Sequence, residues 1–308
     1  MKILMVSEPG GTRGPANAYG HHIKAIEGSK NYQVCSIAEL SSIDQVQNFD
    51  VLWFSVRFDP RIYYLMKDKF PNKKYVMGPN VLFEKAEVGP SDEWEKWFVE
   101  TVTCDLYTNK AAFYLARANH FFKGSKRYEV LRNCIDLKGY VEFEENCDKD
   151  IDVLVYYKNR RIDDQLDSLY PTLKSQLDDL GLSIETIRYG EYDRNLYFKT
   201  LNRSKLCLWL SIEDFCSNAQ LEAQYFNVPI IGTMYNNTDA YDPSFNVGAA
   251  TNTREDWIRW TDDMPKKFIE RIESFFENDI DMVGDKPSKF IKENYSYVAY
   301  IRQLDRML

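Results

Sequence analysis

The chain predicts a two-domain α/β protein in which each domain carries a doubly wound, Rossmann-like parallel sheet. Three observations predict it. Short apolar runs recur through both halves and alternate with stretches of helical periodicity, the pattern of strands covered on both faces. At 308 residues, each half is long enough to bury its own core. The polar, acidic stretch Glu142–Asp150 lacks apolar periodicity and is followed by a fresh strand pattern, so the chain is expected to divide into domains 1–140 and 141–308.

The first domain opens on the apolar strand Lys2–Ser7, followed by a turn carrying Gly10, Gly11 and Gly14 and a helical stretch at Ala18–Ile26. The glycine spacing is not the dinucleotide fingerprint, although Gly10 and Gly11 let backbone approach a phosphate. Further strands are expected at Val51–Val56, Lys74–Met77, Asp105–Thr108 and Glu129–Leu131. In the second domain, Ile151–Tyr157 leads to the cations Lys158, Arg160 and Arg161 and a helix carrying Leu166, Leu169, Leu173 and Leu177. Cations at the carboxyl end of a first strand stand where open α/β sheets bind ligands, with a solvated basic turn as the alternative. Ile184–Arg188 is the next strand and Asp193–Arg203 the next helix. Near the carboxyl terminus Ile291, Tyr295, Val298, Ile301, Leu304 and Leu308 recur at three- and four-residue intervals and predict one apolar helix face.

Composition excludes several classes. Hydrophobic content of 44% with 28% charged residues is that of a globular protein. No apolar run approaches membrane-spanning length and the amino terminus enters a strand pattern instead of a signal peptide, which implies a cytoplasmic protein, in the host cytoplasm if virus-encoded. The six cysteines form no Cys-x-x-Cys pair, and the three histidines, His21, His22 and His120, make no ligand cluster, so neither zinc nor disulfides are implied. Net charge is −8, but residues 1–140 hold 19 basic against 16 acidic side chains, and the remainder 20 against 31. A first domain at +3 beside a second at −11 suits an anionic acceptor, although surface decoration alone produces such asymmetry.

Residues 204–233 carry the most chemistry. Leu206–Ile212 and Val228–Ile231 are expected as parallel strands, with an acidic loop and a short helix between them. Ser217 followed by Gln220 has capping-box spacing, so the helix is expected to begin at Asn218 with free N–H groups at Asn218 and Ala219. Such a terminus is an anion site. Glu222 lies just over one turn inside the helix, and Glu213 and Asp214 lie on the loop before it, so amide donors and carboxylates converge on one ligand.

This segment resembles the donor-binding signature of the retaining GT-B glycosyltransferases, the group containing glycosyltransferase family four. Asp214 and Glu222 are eight positions apart, Glu213 stands two before Phe215, and Glu222-Ala223 precedes a Val228-Pro229 strand. Cys216 replaces the family's glycine. Val130-Leu131-Arg132-Asn133-Cys134-Ile135-Asp136 is similar to the turn ending the family's first domain. The resemblance implies a GT-B fold: an acceptor-binding first domain, a nucleotide-sugar-binding second domain, a cleft between them and a final helix crossing back. It implies sugar transfer from a nucleotide-diphosphate sugar, with retention and without a metal. Glu222 would bind the donor ribose, Glu213 or Asp214 the donor sugar, and Lys158 and Arg160 the diphosphate. An inverting enzyme would need a base, for which His21 or His22 would serve.

The compact length is consistent with a virus-encoded enzyme, and the basic first domain with Trp94 and Trp97 makes a hydroxymethylated base in phage DNA an acceptor candidate. The densest basic group there is Lys123, Lys126 and Arg127. The alternatives are a cell-surface glycan or lipid-carrier acceptor, or a non-catalytic nucleotide-sugar-binding protein of the same fold.

Overall fold

The computed structural model describes residues 1–6, 15–54, 60–78, 105–108, 128–144, 147–158, 164–210, 218–232, 262–279 and 284–308. Two compact units result. One comprises the described residues up to Ile135 together with Tyr297–Leu308, and the other runs from Asp136 to Ser296.

The first unit carries strands β1 (Lys2–Val6), β2 (Gln33–Ser36), β3 (Val51–Phe54), β4 (Lys74–Met77), β5 (Asp105–Thr108) and β6 (Tyr128–Val130). They form one sheet in the order β2-β1-β3-β4-β5-β6, and every pairing is parallel. Side chains alternate across it. Leu4, Val6, Leu52, Phe54, Tyr75 and Met77 face Tyr63 and Met66 of α2 (Pro60–Lys69). Ile3, Met5, Val51, Trp53 and Val76 face Ala25 and Ile26 of α1 (Pro15–Glu27), with Tyr300 and Leu304 from the carboxyl terminus. Covering on both faces is why β1 and β3 are apolar at successive positions. The Trp53 indole N–H donates to the Gly78 carbonyl at 2.6 Å, so burying it leaves no orphan donor.

The second unit carries β7 (Ile151–Tyr157), α3 (Asp164–Asp179), β8 (Ile184–Arg188), α4 (Arg194–Arg203), β9 (Ser204–Leu210), α5 (Asn218–Tyr225), β10 (Ile230–Gly232), α6 (Met264–Ser274) and α7 (Lys286–Asn294). Its sheet has the order β10-β9-β7-β8, again parallel throughout. One face packs Val153, Val155, Leu206, Leu208 and Ile231 against Leu166, Leu173 and Leu177 of α3 and Phe268 and Ile272 of α6. On β7 and β9 the alternate residues Tyr156 and Trp209 stack and meet an aromatic layer that includes Tyr197 of α4. The final helix, α8 (Tyr297–Met307), belongs to the first unit.

Three local expectations change. The apolar periodicity from Ile291 to Leu308 is two helices, α7 and α8, because the chain leaves helical geometry at Tyr295 and Ser296; Val298 is then 66% exposed while Tyr300 and Leu304 are buried. Strand β2 is present although Gln33-Val34-Cys35-Ser36 shows little apolar signal, because it is an edge strand with no fully buried residue. The acidic stretch after Tyr140 is tied into the second unit: Val141–Phe143 forms a 3-10 turn, Glu144 accepts from the Tyr225 hydroxyl, and Lys149 donates to the carbonyls of Ser204, Phe226 and Asn227.

Candidate functional site

The carboxyl ends of β7 and β9 lie side by side, Tyr157 in register with Leu210, and the Lys158 N–H extends the ladder to the Leu210 carbonyl at 2.8 Å. Lys158 therefore leaves the sheet beside the carboxyl end of β9. Its side chain is only 3% exposed, with the ammonium 4.7 Å from the centre of the Tyr189 ring. A cation placed over an aromatic face is attracted by the ring's quadrupole.

Helix α5 begins at Asn218, the position the Ser217 and Gln220 spacing predicts. It is buried all round, Gln220 through Tyr225 included, so its polar residues Gln220, Glu222 and Gln224 sit in the interior. Asn218 Oδ1 and Trp209 Nε1 are both buried without a hydrogen-bond partner among the described residues, one opening α5 and the other near the end of β9. Buried polar atoms left unpaired are rare and ask for a ligand or water.

Glu222 is 6% exposed. Its Oε1 accepts from the Tyr140 hydroxyl at 3.0 Å and lies 3.5 Å from the Arg194 guanidinium; Oε2 has no partner among the described residues. Burial pushes the Glu222 carboxyl's pKa up, and Arg194 and Tyr140 pull it back. Tyr140 is pushed well up in turn, by burial and by the negative Glu222 beside it. Tyr140 is a residue that sequence reading missed, and nothing local marks it: it stands 82 positions from its partner.

Of the other expected site residues, Gly10, Gly11, Arg160, Glu213, Asp214 and Ser217 lie outside the described residues, as do Arg161, Trp94, Trp97, Lys123, Lys126 and Arg127. Lys158, Asn218, Ala219 and Glu222 all belong to the second unit, Lys158 directly after β7 and the other three on α5. His21 and His22 are placed elsewhere than on a helix surface. His22 is 1% exposed and stacks on Tyr300 with ring centroids 4.9 Å apart, and His21 Nδ1 is 2.7 Å from the Tyr297 hydroxyl. Burial, with the neighbouring His21, lowers the His22 pKa to about 3. A buried imidazole packed on α8 does not serve as a base against solvent-delivered substrate. Among the described residues no cluster of three or more His, Cys, Asp or Glu is placed to hold a metal ion, and no helix is long and apolar enough to cross a membrane.

No family model matches the chain, and no curated protein matches it. Solved structures do share its fold. A sucrose-phosphate synthase from Thermosynechococcus elongatus superposes with a TM-score of 0.67 at 10% identity, covering 99% of this chain and 98% of its own. HepE of Anabaena, solved in complex with UDP and glucose, gives 0.61 at 11% identity and covers 100% and 99%. The UDP-GlcNAc 2-epimerase of Neisseria meningitidis, bound to UDP-GlcNAc, gives 0.53 at 12% identity and covers 99% and 100%. Together with the two parallel sheets and their helical layers, these likenesses show that the chain has the GT-B fold, the two-domain α/β architecture of GT-B glycosyltransferases.

Proposed function

We propose that this protein is a glycosyltransferase that moves a sugar from a nucleotide-diphosphate sugar to an acceptor, with the donor held in the second unit. The observation that carries the reading is Glu222, whose Oε1 is anchored and whose Oε2 has no partner among the described residues, on the helix that also opens with Asn218 Oδ1, likewise unpaired among them. A carboxylate so placed accepts hydrogen bonds from ribose hydroxyls. The N–H groups of the first turn of α5 and the buried cation Lys158 meet the diphosphate, joined by Arg160. The reading is supported by two structures of the same fold, HepE, solved with UDP-glucose, and the epimerase, solved with UDP-GlcNAc.

In this reading the protein stabilises departing diphosphate with fixed dipoles and cations beside an oxocarbenium-like sugar, so no covalent nucleophile and no metal are required. Glu213 or Asp214 orients the sugar, transfer is retaining, and Gly10 and Gly11 of the first domain, residues 1–140, are further candidates for the donor phosphate. That domain receives the acceptor, for which a hydroxymethylated base in phage DNA fits its positive charge. A second reading, nucleotide-sugar epimerisation, is favoured by the epimerase of the same fold.

The experiment offers the purified protein UDP-, GDP- and ADP-sugars with and without pooled acceptors, in buffer containing EDTA. Donor cleavage or sugar transfer supports the proposal. Interconversion of the donor sugar without cleavage selects the epimerase, and binding without any turnover selects a non-catalytic nucleotide-sugar protein.

A further inference from the structure

Glu222 is held by two groups from outside its own helix. Tyr140 sits between the 3-10 turns Leu137–Gly139 and Val141–Phe143, its ring packed on Phe198 at 4.9 Å and on Tyr225 at 5.2 Å. This packing fixes where its hydroxyl points. Arg194 opens α4 behind the Asp193 cap, and its guanidinium lies 5.1 Å from the Phe198 ring centre with its side chain 55% exposed. Both reach the same oxygen, Oε1. A carboxylate has about four acceptor sites, so two partners on one oxygen fix the plane of the group and leave the other oxygen's lone pairs available.

We infer that Tyr140 and Arg194 are positioning residues that hold Glu222 with Oε2 directed to a ribose hydroxyl of the bound nucleotide, and so set its preference for ribose over deoxyribose. The inference rests on the reading of Glu222 as a nucleotide ligand. A lone carboxylate on a buried helix would be free to turn or to take up a proton. Among the described residues, the titratable groups around Glu222 are Tyr140 from the 3-10 pair, Arg194 and Tyr197 from α4, and Tyr192 just before it. Burial raises the Glu222 pKa; Arg194 and then Tyr140 are the groups that lower it again. Removing either moves protonation of Glu222 to higher pH.

The test is calorimetric titration of the intact protein with UDP and with 2′-deoxy-UDP, and with the ADP and GDP pairs, from about pH 5 to about pH 8. Wild type should prefer the ribonucleotide by about tenfold to hundredfold, the ratio expected for one charge-assisted hydrogen bond. Glu222→Gln should erase that preference. Tyr140→Phe, which keeps the packed ring, should cut it severalfold and shift the acid loss of ribonucleotide affinity to higher pH; Arg194→Gln should shift it the same way. A merely structural role would weaken both nucleotides equally. An unchanged preference and pH profile in Tyr140→Phe, with the preference lost in Glu222→Gln, overturns the positioning role alone. If Tyr140→Phe does not fold, Arg194→Gln decides by the same criteria. Retention of the preference in Glu222→Gln, or no binding of any nucleotide by wild type, overturns the reading of Glu222 and this inference with it.

Discussion

Tyr156 and Trp209 stack with ring centroids 4.2 Å apart and planes 5° from parallel, bridging β7 and β9 beneath the aromatic layer of the second unit. On the far side of β9, Gly232 of β10 lies so close that a Cβ there would meet the Trp209 carbonyl oxygen at 2.8 Å and its Cβ at 2.9 Å. Backbone cannot yield as a side-chain tip can. Gly232→Ala should therefore destabilise the protein by about 1–3 kcal/mol, the usual cost of overpacking, measured by denaturant unfolding. Wild-type stability in that variant would mean the strands separate without penalty.

Helix α8 makes a contrasting pair. Leu304 is fully buried among Ile3, Met5 and Trp53, whereas Val298 on the same helix is exposed. Leu304→Ala should cost about 2–5 kcal/mol and Val298→Ala less than about 0.5 kcal/mol. Equal effects would mean that α8 does not pack by the face described.

His22 gives the first unit an acid sensitivity of calculable sign. Its folded pKa, about 3, lies below the 6.5 of an exposed histidine, mainly because of burial. Between those values the unfolded chain binds more protons than the folded one, so its contribution is fully present above about pH 6.5 and is lost as pH falls toward 3. The slope approaches about 1.4 kcal/mol per pH unit. His22→Phe, which keeps a ring against Tyr300, should flatten the fall in melting temperature across that range; an unaltered pH dependence would exclude His22 as its source.

Lys158 separates binding of charge from binding of the nucleoside. If its ammonium meets the donor diphosphate, Lys158→Met should reduce turnover on the order of a hundredfold while nucleoside affinity changes little. The methionine keeps the buried stem, so folding serves as the control. Turnover at the wild-type rate would reduce Lys158 to a packed side chain.

The acceptor proposal is tested by salt. DNA bound through phosphates releases counterions, so its affinity should fall linearly in log–log terms as salt rises. Charge reversal at Lys123, Lys126 and Arg127 should abolish DNA retention and leave donor hydrolysis intact. Sugar appearing on a glycan or lipid carrier alone, with no DNA held at low salt, would reject DNA as acceptor.

Local sequence was enough to decide where most strands run. Ile3–Val6, Val51–Phe54, Val153–Tyr157 and Leu206–Leu210 are apolar at successive positions because parallel strands here are covered on both faces, and that burial is written residue by residue. The start of α5 was equally legible, since capping chemistry acts within one turn. Strand β2 was not, because an edge strand of partly buried polar residues has little periodicity to display. Only the tertiary structure decided which polar side chains meet. Tyr140 finds Glu222 across 82 positions, and His22 finds Tyr300 on the last helix, because sheets and helices packed elsewhere bring them together. Periodicity reports which way a side chain faces within its own element; its partner depends on how distant elements stack, and that information lies in the whole packed chain.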